Sequence, residues 1–241
     1  MATPYLFNPI QYGADIVTHS TTKYLNGHGN SMGGVIVEAG KFDWAQNDKF
    51  PSMTTPDDAY HGLTFYETFG DFGFTMRVRA VALRDFGPAL SPTNAFMTLT
   101  GIETLPLRMD RHVANAEAVA TWLEDHPAIA WVSYAGLRSS PSFKHKNKYF
   151  CQGCGSVFTF GVKGGFDAGI RLVEGCTLLS HLANVGDTRS LILHPASTTH
   201  RQLTEEQQIA AGAGPDVVRI SVGIETVSDI IADLEQALSR A

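Results

Sequence analysis

The 241-residue sequence has few cysteines, no long apolar run and no cluster of like charges. Three cysteines are too few for a secreted disulfide framework, so we expect a reducing, cytoplasmic setting. No stretch of 18 apolar residues indicates a transmembrane helix, and the first residues lack the basic start and apolar core of a signal peptide. A formal charge of -6 without a Lys/Arg-rich run disfavours nucleic acid and membranes as partners. What remains is an ordinary globular composition, long enough for one large domain or two small ones.

Metal ligands are also sparse. Cys151 and Cys154 form a C-x-x-C, but no second such pair and no histidine pair follows at the spacing of a structural zinc site. The residues after Cys154 have the pattern of a strand, whereas a redox-active pair is typically found at the start of a helix. His194 and His200 are separated by a proline turn, with no carboxylate at a familiar ligand spacing. We therefore predict no metal site and incidental cysteines.

Glycines and prolines divide the chain into short periodic segments. The helical spacing of Leu105, Met109 and Val113 predicts a helix that packs its apolar stripe into a core and ends at Pro127. Strands are predicted at "GADIVTHS", "GGVIVEAG", "AIAWVSYAG", "GSVFTFGVKGG", "SLILHP" and "VVRISVGI". Other helices are predicted at "FTMRVRAVALRDFG", "FDAGIRLVEGCTLLSHL" and "VSDIIADLEQALSR". After Pro127 short strands alternate with helices, and we place the domain boundary near Leu105, where the long helix begins.

A single lysine, Lys23, lies in the stretch "HSTTKYLNGHGNSMGG" between hydroxyl residues and a glycine-rich run. Lysine is a poor nucleophile at neutral pH unless it is desolvated, and its common covalent use is a Schiff base, often with pyridoxal phosphate (PLP). Ser20 and Thr22 are two residues apart, so an extended backbone directs both hydroxyls to one side, where they could bind a phosphate. The alternative is a surface lysine in a turn. A nucleotide phosphate loop would have its glycines before the lysine, and this glycine run leads into a strand rather than a helix.

Arg219 interrupts the apolar strand "VVRISVGIE". A buried guanidinium is costly unless it meets an anion, ideally a carboxylate held by two parallel hydrogen bonds. The alternative is an arginine on an edge strand that faces water. The segment "LANVGDTRSLILHPASTTHRQL" adds further polar groups, among them Asn184.

Four stretches together resemble the Cys/Met-metabolism family of PLP enzymes. They are "GADIVTHSTTKYLNGHGNSMGG", "SPTNAFMTLTGIETLPLRMDRHVANA", "SHLANVGDTRSLILHPASTTHRQLT" and "VVRISVGIE", in the family's order and over nearly the whole chain. The resemblance implies an α/β architecture of fold type I, similar to aspartate aminotransferase, with PLP as cofactor. It implies that Lys23 forms the Schiff base with PLP, and that Ser20 and Thr22 bind the cofactor phosphate. It further implies that Arg219 binds the substrate α-carboxylate, with Asn184 assisting.

Within this family the chain looks most like the sulfhydrylase branch, because Asn184 stands where lyases and cystathionine synthases usually have serine. The resemblance implies a γ-replacement in methionine biosynthesis, in which O-acetyl-L-homoserine and sulfide give L-homocysteine and acetate. It also implies a homo-oligomer, either a dimer or a tetramer. The alternatives are a cystathionine γ-synthase, a γ-lyase and, more remotely, a nucleotide-binding module that uses the glycines.

The sequence departs from the family in two places. "CQGC" stands where the family usually has proline and glycine, and no counterpart precedes "TPYLF" for a long N-terminal region. In the family that region supplies a phosphate loop, a tyrosine that stacks on the cofactor ring and an aspartate that pairs with the ring nitrogen. We therefore expect residues 1–105 to be the C-terminal part of the PLP-binding large domain and 106–241 to be the small α+β domain. A further alternative is an inactive assembly piece that needs an N-terminal partner chain.

Overall fold

The computed structural model describes residues 2–240, which form two compact units. One unit comprises residues 8–21 and 32–96, and the other comprises residues 2–7, 22–31 and 97–240. The segment 22–31, which carries Lys23, thus belongs to the same unit as the C-terminal part of the chain. This division by compactness differs from the predicted domain boundary at residue 105, which follows the family and stays a prediction.

The strands form two separate sheets. A two-stranded antiparallel sheet pairs β1 with β2, and a five-stranded sheet has the order β3-β4-β7-β6-β5, antiparallel except for the parallel β5–β6 pair. The strands are β1 (Ile16–Ser20), β2 (Gly34–Glu38), β3 (Ile129–Ser133), β4 (Val157–Val162), β5 (Ser180–His181), β6 (Leu191–Leu193) and β7 (Val217–Ser221). All six predicted strands are confirmed, and β5 is an additional short one.

The helices are numbered in chain order. They are α1 (Thr3–Leu6), α2 (Pro51–Thr54), α3 (Phe65–Phe69), α4 (Gly73–Arg77), α5 (Arg84–Phe86), α6 (Pro92–Glu103), α7 (Leu105–Asp125), α8 (Lys146–Tyr149), α9 (Gly165–Gly175), α10 (Glu205–Ala210) and α11 (Val227–Leu238). A π-helical segment, Val78–Leu83, joins α4 to α5, which matches the predicted helix there. Among residues 2–240, no helix is long and apolar enough to cross a membrane.

The core of the larger unit lies between α7, α9 and α11 and one face of the five-stranded sheet. Strand residues alternate between the two faces of a sheet, so Phe158 and Phe160 of β4 lie on the same face as Val218 and Ile220 of β7. The predicted apolar stripe of α7 is buried along its length. Its later residues, such as Ala120 and Leu123, belong to this core, whereas Leu105, Met109 and Val113 form a second cluster with Leu6, Tyr24 and Leu25. Arg219 lies on the opposite face of the sheet, away from this core.

The smaller unit contains the β1–β2 pair, whose side chains are poorly covered. Directly opposite residues share a face, so Val17 with Val37 lies on one face and Thr18 with Ile36 on the other. Three consecutive apolar residues of β2, Val35–Val37, are 40%, 51% and 41% exposed. Both faces of this two-stranded sheet are therefore open in the residues that the structure describes.

The predicted helix "FDAGIRLVEGCTLLSHL" is too long. It ends at Gly175, and Cys176 already has extended backbone angles. The following backbone N–H groups of Thr177, Leu178 and Leu179 donate to the carboxylate of Asp233 in α11, at 2.8 to 3.1 Å. These charge-assisted hydrogen bonds replace the helical ones, so the chain leaves the helix and continues into β5.

Candidate active site

Lys23 lies in an irregular turn, Thr21–Leu25, which we call the lysine turn. The turn has π-helical hydrogen bonding, but Lys23 itself has φ -90° and ψ -136°, far from helical values. β1 ends at Ser20, immediately before the turn. A π-type irregularity is frequent at functional sites, since it turns a side chain away from the regular helical direction.

The structure brings three of the predicted site residues together. The Lys23 Nζ atom donates a hydrogen bond to Asn184 Oδ1 at 2.5 Å. The Arg219 Nη2 atom reaches the backbone oxygen of the same asparagine at 3.5 Å, the outer limit of a hydrogen bond. Lys23, Asn184 and Arg219 are all partly buried. The Lys23 amine and the Arg219 guanidinium therefore both contact Asn184, although these two residues are 196 positions apart in the chain.

Arg219 is on a central strand, so the alternative of an edge-strand arginine is wrong. β7 is third of five in the sheet, and Arg219 is flanked by Thr159 of β4 and Leu193 of β6. Burial lowers the pKa of Arg219, because removing a charge from water disfavours the protonated form. The guanidinium is nevertheless charged at neutral pH, since an arginine pKa starts far above that range.

Neither Lys23 nor Arg219 forms an ion pair in the described part of the chain. Two partly buried cations without a protein carboxylate form a site that favours an anionic ligand. The side chains present thus fit PLP and an amino-acid substrate, which carry a phosphate and a carboxylate. Within residues 2–240, no group of three or more His, Cys, Asp or Glu side chains could hold a metal ion.

Ser20 and Thr22 flank the start of the lysine turn. Ser20 is exposed at the end of β1 and pairs with Gly34 of β2, and Thr22 is partly buried inside the turn. Their role as phosphate ligands stays a prediction.

Sequence reasoning missed a polar stripe on α7. Arg108, His112 and Asn115 stand at i, i+4 and i+7, and all three are at least nine-tenths buried. Asn115 donates to the backbone oxygens of Gly223 and Glu225, at 3.0 and 2.8 Å. The helical spacing of these polar residues beside the apolar stripe was the signal that could have revealed them.

His112 is a neutral member of this stripe. Its Nδ1 atom lies 2.7 Å from the Val222 backbone oxygen, an acceptor, so Nδ1 carries the proton. Burial lowers the pKa of His112 to about 4, although the Val222 hydrogen bond acts in the opposite direction. Its ring meets the Tyr24 ring edge to face, with 5.2 Å between centroids. His112 therefore packs against Tyr24 of the lysine turn as an uncharged group.

Comparison with known proteins identifies the family of the chain. A family model described as "Cys/Met metabolism PLP-dependent enzyme" matches residues 1–239. The O-acetyl-L-homoserine sulfhydrylase of Leptospira meyeri is 50% identical, with 100% of this chain and 56% of that protein covered. The homocysteine synthase of Schizosaccharomyces pombe is 52% identical, with 98% of this chain and 56% of that protein covered.

A solved structure shows the same fold. A putative O-acetylhomoserine (thiol)-lyase from Campylobacter jejuni, whose crystal structure contains a pyridoxyl-lysine phosphate, superposes with a TM-score of 0.93 at 40% identity. The match covers 99% of this chain and 57% of that one. This chain belongs to the Cys/Met metabolism family of PLP-dependent enzymes, and the prediction of an α/β fold of fold type I is confirmed. The chain spans only about half the length of the relatives it matches.

Proposed function

We propose that this chain carries the lysine and arginine of an O-acetylhomoserine sulfhydrylase active site. The reaction replaces acetate at Cγ of O-acetyl-L-homoserine by sulfide, so that a C–O bond breaks, a C–S bond forms, and L-homocysteine and acetate leave. The observation that carries the proposal is the meeting of Lys23 and Arg219 at Asn184. The names of the relatives, which are O-acetylhomoserine sulfhydrylases and homocysteine synthases, support the choice of substrate.

Each residue has a role that its position supports. Lys23 binds PLP covalently through Nζ, and Ser20 and Thr22 bind its phosphate. When bound, PLP supplies an electron sink that makes the substrate Cα–H bond acidic. Once the substrate amine has replaced it on the cofactor, the freed Lys23 Nζ would accept the proton from Cα and move protons to and from Cβ. Arg219 binds the substrate carboxylate, which fixes the direction of the Cα–H bond.

Asn184 connects these two functions. Its side-chain oxygen accepts from Lys23, and its backbone oxygen lies at the limit of hydrogen bonding to Arg219. A neutral acceptor can orient the lysine amine without holding it in an ion pair, so the amine stays available for proton transfer. Asn184 thus fixes the position of the substrate-binding Arg219 relative to the proton-transferring Lys23.

The test is to fix bound PLP to the protein and locate it. The purified chain is incubated with PLP, reduced with borohydride and mapped by peptide mass analysis. We expect the pyridoxyl label on Lys23, its loss in Lys23→Arg, and its retention in Lys49→Arg, a control at an exposed lysine. A label on another lysine in the wild-type chain would refute the assignment.

The β1–β2 pair supports a second proposal, that the active species is an assembly. Two-stranded sheets are marginal alone, and strands with apolar residues on both faces are usually buried on both sides. We propose that the open faces are covered by the portion of the relatives that these 241 residues do not match, within a dimer or tetramer. On this proposal, the chain is inactive when it is not part of the assembly.

Light scattering and an activity assay distinguish a chain that needs the assembly from a chain that is active as a monomer. If the assembly proposal is correct, the 241-residue chain is self-associated and forms little homocysteine from O-acetyl-L-homoserine and sulfide. Adding the N-terminal portion of the Leptospira meyeri relative should give a defined particle and raise the rate. A monodisperse monomer that turns over unaided would refute the assembly proposal and leave the assignment of Lys23 intact.

A further inference from the structure

Arg108 is a buried cation with an unusual set of partners. It lies in the first turn of α7 and is 6% exposed, yet it forms no ion pair in the described residues. Each of its three nitrogens has a neutral partner instead. Nε donates to Thr104 Oγ1 at 3.1 Å, Nη1 to the Tyr24 backbone oxygen at 2.8 Å, and Nη2 to the Gly101 backbone oxygen at 2.6 Å.

These partners belong to three different segments. Thr104 lies between α6 and α7, Gly101 is in the last turn of α6, and Tyr24 is in the lysine turn directly after Lys23. The carbonyl end of α6 carries the negative end of the helix dipole, which stabilises a guanidinium there without a carboxylate. The planar fork of arginine can donate in several fixed directions at once, so one side chain joins all three segments.

The backbone directly after the lysine turn packs closely against Arg108 and α6. An added Cβ on Gly27 would lie 2.2 Å from Arg108 Nη1, and one on Gly101 would lie 2.2 Å from the Asn26 backbone oxygen. The neighbouring Lys23 carbonyl is already occupied, since it accepts from Gly27 N at 2.7 Å. Tyr24 O thus depends on Arg108, the donor that the structure gives it.

We infer that Arg108 is a positioning residue that fixes the backbone on the C-terminal side of Lys23, and so the direction of its amine. This inference rests on the proposed function of Lys23. Arg108 acts through the Tyr24 carbonyl and the α6 end, and it does not itself contact Asn184 or Arg219 in the structure.

The test compares Arg108→Met, which keeps the length but no donor, with Arg108→Lys and with the control Arg111→Met. Arg111 is an exposed arginine in the same helix. Hydrogen–deuterium exchange followed by mass spectrometry measures the amides of residues 22–27, without need of PLP. We expect at least a tenfold faster exchange there in Arg108→Met and Arg108→Lys, unchanged exchange in β4 and β7, and no change in Arg111→Met.

A second readout follows Lys23 itself. The rate of borohydride-fixed pyridoxyl labelling of Lys23 should fall at least tenfold in both Arg108 variants and stay unchanged in Arg111→Met. Unchanged exchange of residues 22–27 in Arg108→Met would overturn the inference. Exchange that rises equally throughout the chain in both Arg108 variants would also overturn it, since Arg108 would then be only structural. If the wild-type label lies on another lysine, the function of Lys23 fails, while the exchange data still decide the role of Arg108.

Discussion

Replacing Arg219 should impair substrate use much more than cofactor attachment. The guanidinium is on a central strand and is partly buried, and within residues 2–240 its one side-chain hydrogen bond is to the Asn184 backbone oxygen at 3.5 Å. Its donors are therefore available for a ligand carboxylate. Lys23 reaches Asn184 through a separate contact at 2.5 Å, which an Arg219 substitution leaves in place.

The magnitude follows from the type of contact that is lost. Truncating one partner of a buried, hydrogen-bonded charge pair costs about 2–5 kcal/mol, which corresponds to about a 30- to 4,000-fold loss. We expect kcat/KM for O-acetyl-L-homoserine to fall by this factor in Arg219→Ala. Arg219→Lys keeps the charge but not the planar fork, so we expect a loss of about tenfold or more.

The assay measures sulfide-dependent homocysteine formation at varied O-acetyl-L-homoserine, in the preparation that shows activity with the wild-type chain. In parallel, borohydride labelling measures how much PLP is attached to Lys23. Arg189→Ala is the control, because Arg189 is a cation near Asn184 in sequence whose side chain is 72% exposed. An unchanged kcat/KM in Arg219→Ala would refute the reasoning. An equal loss of Lys23 labelling would mean that Arg219 serves the cofactor site rather than the substrate.

Two further predictions concern contacts within the larger unit. Burial acts to raise the pKa of Asp233, but backbone hydrogen bonds hold this pKa below its usual value. The stability that the carboxylate contributes is therefore present near pH 7 and is lost as pH falls below about 4. Asp233→Asn should lower the free energy of unfolding by about 2–4 kcal/mol in urea at pH 7, and a difference from the wild-type chain that stays constant down to acid pH would contradict this. Gly101→Ala would normally stabilise a helix, but its Cβ would lie 2.2 Å from the Asn26 backbone oxygen, so we expect a loss of about 1–3 kcal/mol in the same assay. A stabilised Gly101→Ala protein would show that the lysine turn yields easily.

The segments that were predicted correctly are those whose information is local. The strands β4 and β7 are short runs rich in β-branched and aromatic residues, and their length and flanking glycine or polar residues favour a strand over a helix. The apolar stripe of α7 repeats at helical spacing, so its buried face follows from the sequence alone.

The features that were not predicted depend on contacts between distant residues. α9 ends at Gly175 because Asp233, more than 50 residues later, supplies the acceptor for the next three N–H groups. In the sequence, Asp233 is one acidic residue on an amphipathic helix. No local pattern separates it from the exposed acidic residues around it, so the predicted helix wrongly continued past Gly175 into β5.

Three partly or fully buried cations of the larger unit illustrate how hydrogen-bond partners separate structural from ligand-binding roles. Arg108 donates from Nε, Nη1 and Nη2 to protein oxygens at 3.1 Å or less, so each of its nitrogens already has a protein partner. Among residues 2–240, the Arg219 side chain has one hydrogen bond, at 3.5 Å, and the Lys23 side chain has one, with a neutral amide. Burying a cation while leaving most of its donors unused costs free energy, which an anionic ligand can offset when it binds. The unused donors of Arg219 therefore suit a ligand carboxylate, whereas Arg108 donates its hydrogen bonds to protein oxygens around the lysine turn.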